Sequence, residues 1–159
     1  MYTQVNYETM KMMLRNPIIW GAGILRGHQD FSRGRILLAK LGVGYGEAMT
    51  SLALAFRDAG YEVIYTDIQR PEAIVASAIQ ECVDHIGITT LPGADITDLA
   101  RVVELLKKED SSHIRVTAGG YLERDKIAEV KEMGVVEFFA IGTPVSELIE
   151  WAREYIRPT

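Results

Sequence analysis

The chain has 159 residues, 48% of them apolar and 25% charged, with a formal net charge of −5; this is the profile of one folded domain, and it excludes disordered and membrane-embedded classes. The acidic balance argues against a nucleic-acid surface, which needs clustered lysine and arginine in excess. A single cysteine, Cys82, excludes an internal disulfide, and the sequence lacks both an eighteen-residue apolar run and a signal-peptide pattern, so the expected setting is the cytoplasm, away from membranes.

In chain order, residues 1–34 stand apart: 3–15 fit a helix using Val5, Met10, Met13 and Leu14, and 16–34 read as a linker with Pro17, Gly21, Gly23, Gly27 and Gly34. Residues 35–159 then form one domain in which short apolar runs alternate with segments of helical period. The expected strands are Arg35–Lys40, Glu62–Thr66, His85–Thr89, Ile114–Ala118 and Val136–Ala140, short and rich in Val, Ile or Phe, as strands buried on both faces should be. The first helix spans about Glu47–Ala59 and stops at Gly60. Pro71 opens the second, which runs to about Val83 and includes Cys82 as a small buried hydrophobe. Ile96, Leu99, Val103 and Leu106 mark the inner face of the third, closed by Lys107 and Lys108. The fourth covers about Arg124–Met133. The last is capped by Thr143, begins at Pro144, and buries Val145, Leu148, Ile149, Ala152 and Ile156. This alternation predicts a flavodoxin-like α/β domain, a five-stranded parallel sheet of order 2-1-3-4-5 with helices on both faces.

Ligands of such sheets bind beyond the carboxyl ends of the strands. The loops to consider are Leu41–Gly46, Thr90–Asp95, Gly119–Glu123 and Ile141–Thr143, all rich in Gly, Thr or Pro, which suits tight turns as well as close ligand approach. A phosphoacceptor receiver would carry acids where this chain has Lys40-Leu41 and Thr89-Thr90. The segment Gly42-Val-Gly-Tyr-Gly46 lacks the third spaced glycine of a dinucleotide fingerprint. No nucleophile with a histidine base converges on this edge, so no catalytic residue is assigned, and Glu47, Asp95 and Glu123 read as solvated helix starts.

Several motifs in order and spacing resemble the cobalamin-binding domain of the methylmalonyl-CoA mutase family. RILLAKLGVGYGEA resembles its first strand and loop, of pattern K-x-G-x-D-x-H-D-x-G; Arg57-Asp-Ala-Gly-Tyr-Glu-Val63 and Arg70-Pro-Glu72 resemble the segments that follow. Thr89-Thr-Leu91 stands where the family has S-x-L, Gly119-Gly120 at its double glycine, and Phe139-Ala-Ile-Gly-Thr143 at its final F-G-P-G-T loop. The resemblance implies cobalamin as cofactor, held by Gly42, Gly44, Tyr45, Gly46, Thr89, Leu91, Gly119, Gly120, Gly142 and Thr143. It implies a mutase large subunit or a second copy of the chain as partner.

The family's lower ligand to cobalt is the histidine of D-x-H-x-x-G, oriented by the aspartate. Here those three positions are Gly44, Gly46 and Met49. His28 precedes the first strand, and His85 and His113 lie at the amino edge, so no metal ligand is assigned. The resemblance therefore implies a cobalamin module without a protein imidazole ligand, at most the cofactor-binding part of an adenosylcobalamin-dependent isomerase and not catalytic alone. The alternative is a relative that has lost the cofactor and acts through protein contacts or another small ligand. Thr89 adds a methyl group where the family packs the nucleotide tail, which predicts an altered slot.

Overall fold

Five apolar runs become the five strands of one parallel sheet in the computed structural model, which describes residues 33–44, 47–67 and 70–159. The helix expected at 3–15, most of the linker, and Tyr45 and Gly46 lie outside the described residues. The strands are β1 (Arg35–Leu41), β2 (Glu62–Tyr65), β3 (His85–Thr90), β4 (Arg115–Gly120) and β5 (Glu137–Ala140). Their order is β2-β1-β3-β4-β5, every pair parallel, as the alternation of elements predicts. The helices are α1 (Glu47–Asp58), α2 (Pro71–Gln80), α3 (Ile96–Lys108), α4 (Arg124–Glu132) and α5 (Val145–Tyr155).

Side chains alternate across a strand, so each strand feeds two layers. Leu37, Ala39 and Leu41 of β1, Ile86 and Ile88 of β3, and Val116 and Ala118 of β4 pack in one core with α2, α3 and α4, through Ile74, Val102 and Val130 among others. Ile36 and Leu38 of β1 join Met49, Ala53 and Phe56 of α1 and Ala152 of α5 in a second core on the opposite face. The connecting helices change face between α1 and α2 and again between α4 and α5, and the ends of the strands gather the loops where a ligand belongs.

Local chemistry accounts for the ends. Asp95 caps α3 by accepting a hydrogen bond from Thr97 N at 2.9 Å, and Lys107 and Lys108 close its last turn. Three expectations shift. α2 ends at Gln80, and Cys82 is exposed in a turn at φ 49°, where Val83 N donates back to Ala78 O; the residue sits at the left-handed stop that glycine usually fills. α5 begins at Val145 with Pro144 as its N-cap, because the Thr143 hydroxyl donates instead to Ala140 O at 2.6 Å and closes the preceding turn. Thr90, Gly119 and Gly120, expected in loops, continue β3 and β4 in register, Thr89 opposite Gly119 and Thr90 opposite Gly120.

Candidate functional site

The face of the sheet toward α1 and α5 is built differently from the other. On β3 it presents His85, Gly87 and Thr89, and on β4 Thr117 and Gly119, aligned as Leu38–Gly87–Thr117 and Lys40–Thr89–Gly119 across the sheet. The opposite face of the same two strands carries Ile86, Ile88, Val116 and Ala118. Glycine cannot fill the space that branched aliphatics fill, threonine reaches no further than valine, and an interior packed to crystal density elsewhere is left open here. The result is a slot of ≈ 220 Å³ between the sheet, α1 and α5.

Its walls are apolar, with Ala48, Leu52 and Phe56 from α1 and Val145, Leu148 and Ala152 from α5. Gly119, Gly120, Gly142 and Thr143 line it toward the carboxyl edge, and His85, Trp151 and Ile156 line it toward the amino edge. Trp151 holds one side with rings on both flanks, Phe139 edge-on at 5.6 Å and Tyr155 stacked at 4.9 Å. A long apolar slot with few polar groups, entered at the carboxyl edge, suits a flat aromatic group threaded between sheet and helices.

Of the residues singled out in the sequence, Thr89, Gly119, Gly120, Gly142 and Thr143 line this slot together. Thr89 is half-buried, and the slot stays open beside its methyl group. Gly42, Gly44 and Leu91 form a neighbouring cluster at the same edge: Leu91 N donates to Leu41 O at 2.8 Å and Val43 N to Pro92 O at 3.3 Å. A Cβ on Gly42 would lie 2.7 Å from Leu91 O, so only glycine allows the two loops to close up. Gly87, Thr117, Leu148 and Trp151 escaped the sequence reading, although two runs of small residues at every second position were there to be found. Val145, expected in the core, is largely exposed because it stands at the mouth.

Exposed apolar side chains stand in the loops at the carboxyl edge of the sheet. Val43 is 81% exposed and Ile141 76%, with Tyr121 also on the surface, each from a different loop. Beside them Lys40, buried at the end of β1, is neutralised by Asp67 at 2.6 Å; that hydrogen bond holds the Asp67 carboxyl below the usual range. Among the described residues no cluster of three His, Cys, Asp or Glu could hold a metal ion, and no helix is long and apolar enough to cross a membrane.

At the far end His85 is buried, its Nε2 2.9 Å from Thr117 Oγ1. Burial first, then the positive charge of Arg115, brings its pKa down to about 3, against the opposing pull of Asp84. The imidazole is therefore neutral when folded and free to take a proton when unfolded. Its stabilising share is complete above pH 6.5 and is lost as the pH falls toward 3, by roughly 3 kcal/mol at pH 4. Urea unfolding at pH 7 and pH 4 is expected to show that loss, with His85→Leu reducing the difference; equal pH dependence in both proteins would refute the assignment.

The sequence matches the family described as B12 binding domain over residues 34–149. It is 36% identical over 124 residues to the 2-hydroxyisobutanoyl-CoA mutase small subunit of Aquincola tertiaricarbonis, covering 77% of this chain and 91% of that one. Similarity to the pivalyl-CoA mutase small subunit of Xanthobacter autotrophicus is 32% identity, over 73% of this chain and 79% of that subunit. Methylmalonyl-CoA mutase of Escherichia coli is 32% identical over 119 residues, but the match spans only 17% of its length. Among solved structures, a cobalamin-binding protein from Desulfitobacterium hafniense superposes with a TM-score of 0.64 at 18% identity, over 79% of this chain and 60% of that one. A response regulator receiver domain from Clostridium thermocellum reaches 0.57 at 14% identity, over 76% of this chain and 94% of that one. Such likeness shows the shared flavodoxin-like fold.

Proposed function

The chain belongs to the B12 binding domain family, and on that premise we propose that it holds cobalamin as a small-subunit module of an acyl-CoA mutase, with the cofactor's nucleotide tail in the slot and no protein imidazole beneath the cobalt. The observation that carries this reading is the slot itself, open because Gly87, Thr89, Thr117 and Gly119 face α1 and α5. A Cβ at Gly119 would meet Phe139 O at 2.9 Å, and one at Gly87 would meet Leu38 Cδ2 at 3.0 Å, so side chains there would invade space that a ligand can use. When bound, cobalamin supplies the radical chemistry; the chain supplies position and exclusion of water.

Gly42, Gly44, Tyr45, Gly46 and Leu91 serve as the platform under the corrin, and Thr89, Gly119, Gly120, Gly142 and Thr143 line the tail. The exposed Val43, Tyr121 and Ile141 form an apolar rim suited to the corrin face and to a large subunit that closes over it. Coverage of 91% of one mutase small subunit supports a role beside a separate large subunit.

Titration with cobalamin tests the first half, with a change in visible spectrum and calorimetric heat expected at micromolar concentration; silence at high micromolar concentration would end the reading. Cobinamide, which lacks the tail, is expected to bind at least about tenfold more weakly, the loss of one modest set of buried contacts. The second half is read by electron paramagnetic resonance of cob(II)alamin on protein carrying ¹⁵N-histidine. No ¹⁵N coupling is expected in the natural chain, and its appearance would show a protein ligand. Gly46→His is the positive control. Gly44 is left unchanged, since its φ of +146° would strain an aspartate.

A further inference from the structure

The opposite corner of the domain holds a second feature, independent of the cobalamin reading. At the amino edge a cavity of ≈ 340 Å³ is lined by Arg33, Tyr61, Ile156, Arg157 and Pro158. Tyr61 is wholly buried, its ring edge-on to Phe56 at 5.7 Å, and its hydroxyl has no hydrogen-bond partner. The charges that reach this hydroxyl are guanidinium groups, from Arg33, Arg153 and Arg157. No ion pair among the described residues engages any of these three arginines.

The neighbouring acids are already committed. Glu62 binds Arg35 at 2.8 Å, and Asp84 accepts from Arg35 N and from Thr159 N and Oγ1, each at 2.7 Å. Arg157 is fixed through one Nη by carbonyls at the end of α5, those of Arg153 and Ile156, which leaves its other N–H groups available. In a chain of net charge −5, one corner thus gathers positive charge and donors with no acceptor among them. A buried hydroxyl left without a partner is costly, and forked guanidinium donors match the oxygens of phosphate two at a time.

We propose that this corner is a second binding site, for the phosphate group of a small phosphorylated ligand. The Tyr61 hydroxyl is the donor waiting at its floor, and Arg33 and Arg157 are the walls that close on the oxygens. The cavity exceeds what one phosphate group fills, which leaves space for the organic body of a phosphomonoester. Access to the floor requires the exposed Arg33 side chain, which lies across Gly60, to swing aside.

The test uses the full chain without cobalamin, with inorganic phosphate as the probe in calorimetry and thermal unfolding, against chloride at matched ionic strength. Saturable binding and a raised melting temperature are expected with phosphate alone. Tyr61→Phe is expected to fold as well as the natural chain and to bind phosphate about tenfold more weakly, as is Arg157→Gln, since each removes one charge-assisted contact. A phosphomonoester such as glycerol phosphate is expected to bind at least as tightly as inorganic phosphate. Stabilisation by chloride equal to that by phosphate, or unchanged affinity in Tyr61→Phe, would overturn the proposal. Because cobalamin enters at the opposite edge, its titration stands or fails separately.

Discussion

Gly87→Leu is expected to give a folded domain that no longer retains cobalamin by its tail. The position has ordinary backbone geometry, and its first added atom meets only Leu38 Cδ2 at 3.0 Å and Thr117 Oγ1 at 3.9 Å. Leu38 Cδ2 is the movable end of a side chain, so the backbone can stay where it is. The rest of the leucine projects into the slot, where apolar neighbours receive it, and the stability should remain within about 2 kcal/mol of the natural chain. A ligand tail excluded from the slot forfeits burial on the order of 100 Å² of apolar surface, about 2.5 kcal/mol or roughly 70-fold in affinity. Affinity for cobinamide should be unchanged, which separates a blocked slot from a damaged domain. Calorimetry with the two corrinoids checks it; natural-strength cobalamin binding by Gly87→Leu would mean that the tail lies elsewhere.

Gly120→Ala is expected to do the reverse and damage the fold first. Gly120 has φ +120°, and an added Cβ would stand 2.4 Å from the carbonyl oxygen of Thr90. That oxygen is backbone, held in place because Tyr121 N donates to it at 3.3 Å while the Thr90 hydroxyl bonds the carbonyls of Gly119 and Tyr121, both at 3.1 Å. The contact can be relieved only by parting the ends of β3 and β4. Backbone strain and the forced separation together should cost at least about 3 kcal/mol, or about 10 °C in melting temperature. Gly142→Ala provides the comparison: its φ is +89°, but nothing lies within 4 Å of the added atom. It should lose only the strain, about 1 kcal/mol. Equal melting temperatures for the two variants would remove the steric argument.

Much of the fold was legible because its strands are buried on both faces, and the runs from Arg35, Glu62, His85 and Val136 stand out against amphipathic helices. The differences at the strand ends have one physical origin, that residues with local turn chemistry are recruited by the sheet. Gly119 and Gly120 look like loop residues until their register with Thr89 and Thr90 is known. Cys82 reads as a small core residue because the helical pattern runs on to Val83, yet the helix ends at Gln80. At the site, the glycines and threonines of the carboxyl edge were visible one by one, but the space they leave was not. A cavity depends on which side chains share a face across several strands, and Gly87 and Thr117 acquire meaning only once β3 and β4 lie side by side.

The alternation along β3 and β4 divides the labour of these strands by residue parity. Even-numbered positions, Ile86, Ile88, Val116 and Ala118, hold the domain together. Odd-numbered ones, Gly87, Thr89, Thr117 and Gly119, turn toward the slot, which Gly120 closes at the strand end. Selection for folding and selection for a ligand thus act on interleaved letters of the same words, and they meet at Gly120, which serves both. A domain organised in this way can change its ligand chemistry without disturbing the frame that carries it.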